Sequence, residues 1–431
     1  MSTPAADPGT PASGSDTSVP GPGVRASGSG ASAPAPDTPA PCPYPFNTPD
    51  GLDLADAYRV AQRTPGLLRV QLPYGEPAWL VTRHHDARAV LADARFSRAD
   101  AGRDAPRTTP VSPIGLVATD PPDHTRLRRP AARAFTPRRA EALRPRVREI
   151  TEDAIHRMTA AGAPADLVEH VALPVPIAVI CELLGVPAED RDRFRGWSDT
   201  VLSTSGAGPH DVLAATAALK EYMGDLLDRR RADPADDLMT ALLHAGDEDA
   251  PDGGASREEL VELCVAILLG GYETTAAQLA NFTWVLLTER PDALAELADR
   301  PDRARAWVEE LLRYVPLAAS ASLPRYALED VQVGGVKVRA GEPVLVAIGA
   351  ADRDALRFPR PDRLEPDRDT SGHLAFGHGI HHCAGAALAR VELQEGLTAL
   401  ARLLPGLRPA GDATWRPAAF LRGPATLPVR W

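Results

Sequence analysis

Lysine is almost absent: Lys220 and Lys337 are the only two in 431 residues, so arginine carries the basic charge. That imbalance reads as codon bias and says nothing about function. Cysteine is scarce too. Cys42, Cys181, Cys264 and Cys383 show no framework spacing, which excludes a disulfide-stapled scaffold and fits a reducing compartment. No uninterrupted apolar run reaches the about 18 residues of a membrane span, and the N-terminus lacks a charged region followed by an apolar one. A soluble, cytoplasmic chain with no membrane anchor is therefore expected. Positive charge is in deficit: the net charge of −11 argues against nucleic acid as a partner. Internal repeats and strict βαβ alternation are missing as well.

What is present suffices for a sizeable core, with 44% hydrophobic residues. Residues 1–41 are rich in Pro, Ala, Gly and Ser and are expected to be disordered, since they bury too little to offset ordering entropy. Residues 42–431 are expected to form a single domain, mostly α with a smaller β-rich part. Strand-like runs at Leu67–Leu72 and Ala78–Thr82 flank a turn at 73–77, and a Gly-Gly hairpin is expected over Val331–Val338. The tail Ala418–Val429 reads as a further extended pair. Ser256 and Glu259 form a capping box ahead of a helix predicted from Arg257 to Glu289, roughly 50 Å long at 1.5 Å per residue. Glu262, Glu273, Gln278 and Asn281 argue against that helix spanning a membrane.

One stretch organises the rest: Phe376-Gly377-His378-Gly379-Ile380-His381-His382-Cys383-Ala384-Gly385, directly ahead of an expected helix over Ala386–Leu404. A thiolate there gains from unpaired N–H groups and the positive end of the helix dipole. The glycines let the backbone approach something flat. These features suit a cysteine holding a haem iron, with Phe376 against the ring. Local chemistry alone leaves two alternatives: a buried structural thiol, or zinc bound by Cys383 with His378, His381 and His382. Zinc would want a second ligand pair, which the sequence does not offer.

The pattern F-G-x-G-x-H-x-C-x-G resembles the haem-ligand signature of the cytochrome P-450 superfamily at every fixed position. The resemblance extends over nearly all of 43–431 and implies the cytochrome P-450 fold, with a long central helix over haem b (iron protoporphyrin IX) ligated by Cys383. In that helix Gly270-Gly271-Tyr272-Glu273-Thr274-Thr275 is similar to the family's small-Gly-x-acid-Thr oxygen-activation motif. It implies Thr274 as the hydrogen-bond partner of dioxygen and Glu273 as a proton relay. Two mid-helix glycines cost about 1 kcal/mol each relative to alanine; close helix packing at Gly270 and Gly271 is the other explanation. His124 and Arg128, four apart on one helix face, resemble the propionate-binding helix, with Arg325 and His381 completing the clamp. Thr119 and Asp120 are N-cap candidates for that helix, ahead of Pro121 and Pro122. Phe376, Gly377 and Gly385 would frame the haem loop. Pro130 should kink or shorten the helix after Arg129.

Glu310 and Arg313, three apart on a helix, together with Arg363 resemble the family's buried Glu–Arg–Arg triad, a structural device. The resemblance also implies that residues 98–118, 198–210, Ile267, Gly270, Gly271, Ala318, Ala319, Phe420 and Leu421 line the substrate pocket, with small side chains leaving room for a bulky ligand. A packed core is the alternative for the alanines. No flavin or iron–sulfur motif is present, so electrons should come from a ferredoxin-type donor with an NAD(P)H-dependent reductase. Arg126, Arg129, Arg133, Arg138 and Arg139 could form its docking face or an ordinary solvated one. The expected activity is that of a soluble bacterial monooxygenase, a monomer. It would hydroxylate or epoxidise an apolar polyketide- or macrolide-type secondary metabolite with O2.

Overall fold

The computed structural model describes residues 39–431 apart from 49, 101–104, 108–114, 203–207, 246–253, 319–320, 322 and 417–420. Among these, the helices run in chain order as α1 (Asp56–Arg63), α2 (His84–Ala92), α3 (Asp123–Ala134), α4 (Pro137–Ala161), α5 (Pro174–Leu183), α6 (Arg191–Leu202), α7 (Pro209–Ala232), α8 (Leu238–Ala245), α9 (Arg257–Glu289), α10 (Asp292–Asp299), α11 (Ala304–Tyr314), α12 (Ile348–Ala351) and α13 (Ala386–Leu403). The strands are β1 (Cys42–Pro43), β2 (Leu68–Gln71), β3 (Ala78–Val81), β4 (Phe96–Ser97), β5 (Ala165–Asp166), β6 (Arg325–Ala327), β7 (Val331–Val333), β8 (Val336–Val338), β9 (Pro343–Val346), β10 (Arg408–Pro409), β11 (Thr414–Trp415), β12 (Pro424–Thr426) and β13 (Pro428–Arg430). Residues Ala40–Trp431 make one contact unit. The disorder expected for 1–41 falls almost wholly outside the described residues.

Helix α9 begins and ends where its sequence predicts. The Ser256 hydroxyl accepts from the Glu259 N–H at 3.2 Å, and the Glu259 carboxylate accepts from the Ser256 N–H at 2.8 Å. These bonds satisfy donors that the helix itself leaves unpaired. It is the one described helix long and apolar enough to cross a membrane, and the fold uses it as a core element. Its N-terminal half (Leu260, Cys264, Leu268) packs with Ile180, Tyr222, Met223 and Met239 from α5, α7 and α8. Its C-terminal half (Leu279, Phe282, Val285, Leu286) packs with Ile155, Trp307, Leu311, Leu397 and Leu400 from α4, α11 and α13. Alanine at 396 would overlap Leu279, since a Cβ there would lie 2.7 Å from its Cδ1; Gly396 is what lets α13 and α9 come together.

The main sheet has six strands in the order β1-β2-β3-β9-β6-β4, with β3 and β9 parallel and their central residues buried on both faces. The expected Gly-Gly hairpin is β7–β8. The extended tail differs from expectation. Its strands β12 and β13 do not pair with each other: β12 pairs with β11, and β13 lies between β10 and β5. Only Leu427 separates them, too short a link for even a two-residue hairpin turn. Pro424 and Pro428 each open a strand, the position in a ladder where a missing N–H does least harm.

Pro130 also behaves differently from expectation. Helix α3 continues through it to Ala134. Pro130 is buried, and Ala131 and Ala134 pack into the same cluster as Tyr272 and Ala276, so tertiary contact outweighs the missing N–H. The third member of the buried triad is Arg368, not Arg363. The Arg313 fork donates to both Glu310 oxygens at 2.8 Å with both side chains fully buried, and Arg368 Nε adds a bond at 3.1 Å. Arg363 is exposed and contributes only its carbonyl, which accepts from Arg313 and Arg368. This network pins 352–368, the segment leading toward Cys383, onto α11. Replacing Arg368 by alanine leaves Glu310 less compensated and is expected to cost up to about 3–5 kcal/mol, whereas Arg363→Ala should stay within about 0.5 kcal/mol. Chemical denaturation of both variants measures the difference.

Candidate active site

Cys383 is set by backbone hydrogen bonds. Its N–H donates to Phe376 O at 2.9 Å, Gly377 N–H to Leu374 O at 2.7 Å, and His382 N–H to Gly379 O at 3.1 Å. Gly377 and Gly379 both take positive φ, +74° and +73°. At Gly379 a side chain would also strike the backbone of Leu91 and Ala92, so only glycine fits. Gly385 is the N-cap of α13. Cys383 is exposed beside its loop, yet desolvation by the surrounding chain pushes the thiol above its ordinary pKa, opposed by the N–H groups of Gly385 and Ala386 and by Arg128 and Arg390. The helix-end stabilisation expected from the sequence is therefore present but outweighed, and a bound cation is what would hold the sulfur as thiolate. Beneath the loop the Arg390 guanidinium lies 4.5 Å from the Phe376 ring centre, fixed by Glu309, which also bonds His373 at 3.0 Å. His378 and His382 make no shared site: among the described residues no group of three or more His, Cys, Asp or Glu could hold a metal ion.

The four residues expected to clamp propionates divide. His124, His381 and Arg325 come together with Arg98, which the sequence did not single out. The two imidazole rings are 4.4 Å apart centre to centre. Nε2 of each, and Nη2 of Arg98, are buried without a hydrogen-bond partner. Burial, then the neighbouring Arg325, pushes Arg98 down to about 9, and burial pushes Arg325 down to about 10. Burial together with Arg98, His124 and Arg325 pushes His381 down to about 3. The counter-charge is Asp120. Its carboxylate does not cap α3 as the sequence suggested; it accepts from Ser97 Oγ at 2.5 Å and from the Arg98 N–H at 3.1 Å. Burial raises the Asp120 pKa, but those bonds outweigh it and hold the carboxyl below its usual range. Arg128 instead donates to the His382 carbonyl, on the cysteine side of the loop.

The distal side is read from α9. The middle of this core helix is not sealed: Ala266 and Gly270 are exposed, and Ile267, Gly271, Glu273 and Thr274 are half-buried. These positions recur at three and four residues and so share one face. A Cβ at Gly270 would meet no atom within 4 Å, whereas one at Gly271 would press on Ile180 Cδ1 at 3.2 Å. The two glycines thus divide the two explanations, open space at 270 and helix packing at 271. Thr274 Oγ1 donates to the Gly270 carbonyl at 2.5 Å. Glu273 accepts from Arg416 Nη1 at 2.8 Å, a partner the sequence gave no sign of. Burial raises the Glu273 pKa, with Arg416 opposing. Ala318 is bridged to the buried Leu421, and Ala319 and Phe420 lie outside the described residues. Ala384, next to Cys383, shares a packed cluster with Ile267 and Leu269 of α9.

A cysteine loop on one side of a central helix whose open face carries an acid and an alcohol, beside buried cations short of anions, defines a haem-thiolate enzyme. The cytochrome P450 family model matches residues 303–404. The chain is 50% identical to the mycinamicin IV hydroxylase/epoxidase of Micromonospora griseorubida over 91% of its own length and 99% of the relative's. It is 49% identical to the nocardicin C N-oxygenase of Nocardia uniformis subsp. tsuyamanensis over 90% and 98%. The solved structure of the mixed-function P450 MycG superposes with a TM-score of 0.87 at 50% identity, covering 91% of this chain and 100% of that one. The chain belongs to the cytochrome P450 family and is a monooxygenase, with haem and an axial cysteine thiolate as the family's cofactor.

The residues present fit that cofactor. Its two carboxylates match the orphaned nitrogens of Arg98, His124 and His381 in charge and in donor type. Replacing Arg98 by methionine is expected to stabilise the haem-free chain, because an undercompensated buried charge is removed. The same change should weaken haem retention by roughly tenfold to a hundredfold, equivalent to about 1.5–3 kcal/mol. Haem transfer to an acceptor protein and thermal unfolding of the apoprotein read the two opposite effects.

Proposed function

We propose that this monooxygenase hydroxylates or epoxidises an apolar macrolide- or polyketide-type metabolite, as a cytoplasmic monomer taking electrons from a separate ferredoxin and NAD(P)H-dependent reductase. The observation that carries this reading is the open stripe on α9 at Ile267 and Gly270, ending at Glu273 and Thr274; Gly271, grouped with them from sequence, packs toward Ile180 instead. It has apolar and small residues above and a proton-bearing pair at its lower end. Ala318 and Leu421 continue the apolar lining; Ala319 and Phe420 are assigned to it as their sequence neighbours. In this reading Cys383 is the metal ligand, within a haem-binding domain over 42–431. His124, His381, Arg325 and Arg98 hold the haem carboxylates, with Arg128 tying α3 to the cysteine loop. Phe376, Gly377 and Gly385 shape that loop.

Bound there, the haem supplies dioxygen activation, with the thiolate pushing electron density to favour O–O cleavage. The chain's own share is proton control. Thr274 Oγ1 gives up its bond to the Gly270 carbonyl to present a hydroxyl toward the open space. Glu273 takes a proton from solvent and passes it inward. The electron-donor side is supported by Arg133, Arg138 and Arg139, all exposed near the α3–α4 junction. Arg126, counted with them from sequence, is spoken for by Glu259 at 2.7 and 2.8 Å and by Asp123 at 3.1 Å.

The two relatives of nearly equal identity act on different compounds by name, so a direct comparison is informative. Mycinamicin IV added to the haem-loaded chain is expected to shift the haem absorption band and to yield a product one oxygen heavier. A response to nocardicin C alone would contradict the macrolide-type reading. Thr274→Ala should lower product formed per NADPH, by up to about 10²-fold if the hydroxyl contributes as positioned acid–base groups do. Unchanged coupling would count against its role.

A further inference from the structure

The pocket-side segment that carries Leu317, Ala318 and Ala321 is tied at two points to one corner of the fold, where residues 44–58 gather. At the first, the Leu317 carbonyl accepts from the Arg422 N–H at 2.8 Å, and Ala318 is bridged to Leu421. The Arg422 side chain reaches the N-terminal segment: Nη1 donates to Leu52 O and Asp53 O, both at 3.1 Å, and Nη2 to Gly51 O at 2.8 Å. At the second, the Ala321 N–H donates to the Tyr44 hydroxyl at 2.7 Å. The Tyr58 hydroxyl donates to the same oxygen at 3.0 Å.

Tyr44 is itself fixed. Its N–H donates to Gln71 O at 2.9 Å, continuing the parallel β1–β2 ladder. Its ring meets Phe46 edge-on at 5.1 Å and Tyr58 at 6.3 Å. Tyr44, Tyr58 and Arg422 are all buried, and Ala321 packs in the same cluster as the two tyrosines. Burial pushes the Tyr44 phenol up to about 12, so it keeps its proton at neutral pH. Ala318 and Ala321 present only methyl groups. The contour of this wall therefore follows from where its backbone is held, not from side-chain bulk.

We propose that Tyr44, supported by Tyr58, is a positioning residue for substrate selectivity: its hydroxyl fixes the segment at Ala321, as Arg422 fixes it at Leu317, and so sets the room a bulky ligand finds at Ala318. This rests on the reading of Ala318 as pocket lining. Without the hydroxyl, a buried N–H loses its acceptor and the segment must shift to find another. A wall no longer held in place loses preorganised contact with a large ligand and matters little to a small one.

Imidazole and 4-phenylimidazole, two ligands of haem iron that differ in size, probe this space independently of the natural substrate. Both are read in the haem-loaded full chain from the shift of the haem absorption band. In Tyr44→Phe the affinity for 4-phenylimidazole is expected to fall about threefold to tenfold, the worth of one neutral hydrogen bond, while imidazole stays within about twofold. Amide exchange followed by mass spectrometry is the second readout. The peptide carrying Ala321 should exchange faster in Tyr44→Phe, and less so in Tyr58→Phe, which keeps the Tyr44–Ala321 bond. Tyr222→Phe, which removes another buried hydroxyl bonded to Asp190, should change neither readout. If Tyr44→Phe does not retain haem, Tyr58→Phe carries the same two measurements with a smaller shift. Equal loss of affinity for both ligands, an unchanged preference between them, or unchanged exchange at Ala321 overturns the proposal. The pocket reading has its own arm: Ala318→Phe should obstruct 4-phenylimidazole. If it does not, that reading of Ala318 fails; if it does while Tyr44→Phe changes nothing, only the role of Tyr44 fails.

Discussion

Two arginines buried around one carboxylate constrain the whole haem face of this protein. Arg98 and Arg325 cannot be neutralised by Asp120 alone, and the two imidazoles beside them leave nitrogens unpaired in a low-dielectric interior. Such an arrangement is costly unless an anion completes it. Its members come from four places: the end of β4, the start of α3, β6 and the cysteine loop. A dianionic cofactor there would join elements that otherwise hold their charges apart, and metal ligation by Cys383 would work in the same direction. Desolvation by the surrounding chain raises the thiol pKa in the protein alone although Cys383 is exposed, so ligation would be linked to deprotonation.

The rest of the fold serves to hold two faces toward that cofactor. On the cysteine side, Glu310 with Arg313 and Arg368, and Glu309 with His373 and Arg390, lock the segments leading into the loop onto α11 and α13. On the other side α9 is packed at both ends and open in the middle. That combination makes it a rigid platform for Thr274 and Glu273. The acid's own partner, Arg416, comes from the C-terminal hairpin and not from a neighbouring helix.

Local signals in the sequence are sufficient for whatever local physics decides. The capping box at Ser256 and Glu259 marks the start of α9, Cys383 stands in its glycine-rich loop ahead of α13, and Glu310–Arg313 is a same-helix pair. Partners that arrive from far along the chain are not legible. Arg416 reaches Glu273 across 143 positions, and neither residue's neighbours hint at it. Arg98 sits in a stretch with no periodicity, so only the structure shows it beside Arg325. Arg363 and Arg368 differ by burial, which their surrounding Pro and Asp residues do not encode. Pro130 departs from expectation for the related reason that packing around Ala131 and Ala134 overrides a local propensity.

The central proposal is that Cys383 ligates the haem iron as a thiolate. A carbon monoxide difference spectrum of the reduced, haem-loaded protein tests it, run beside Cys383→Ser. A red-shifted thiolate band in the wild type that is lost in the serine variant is the predicted result. No such band in the wild type, or a band that persists without the sulfur, would contradict it.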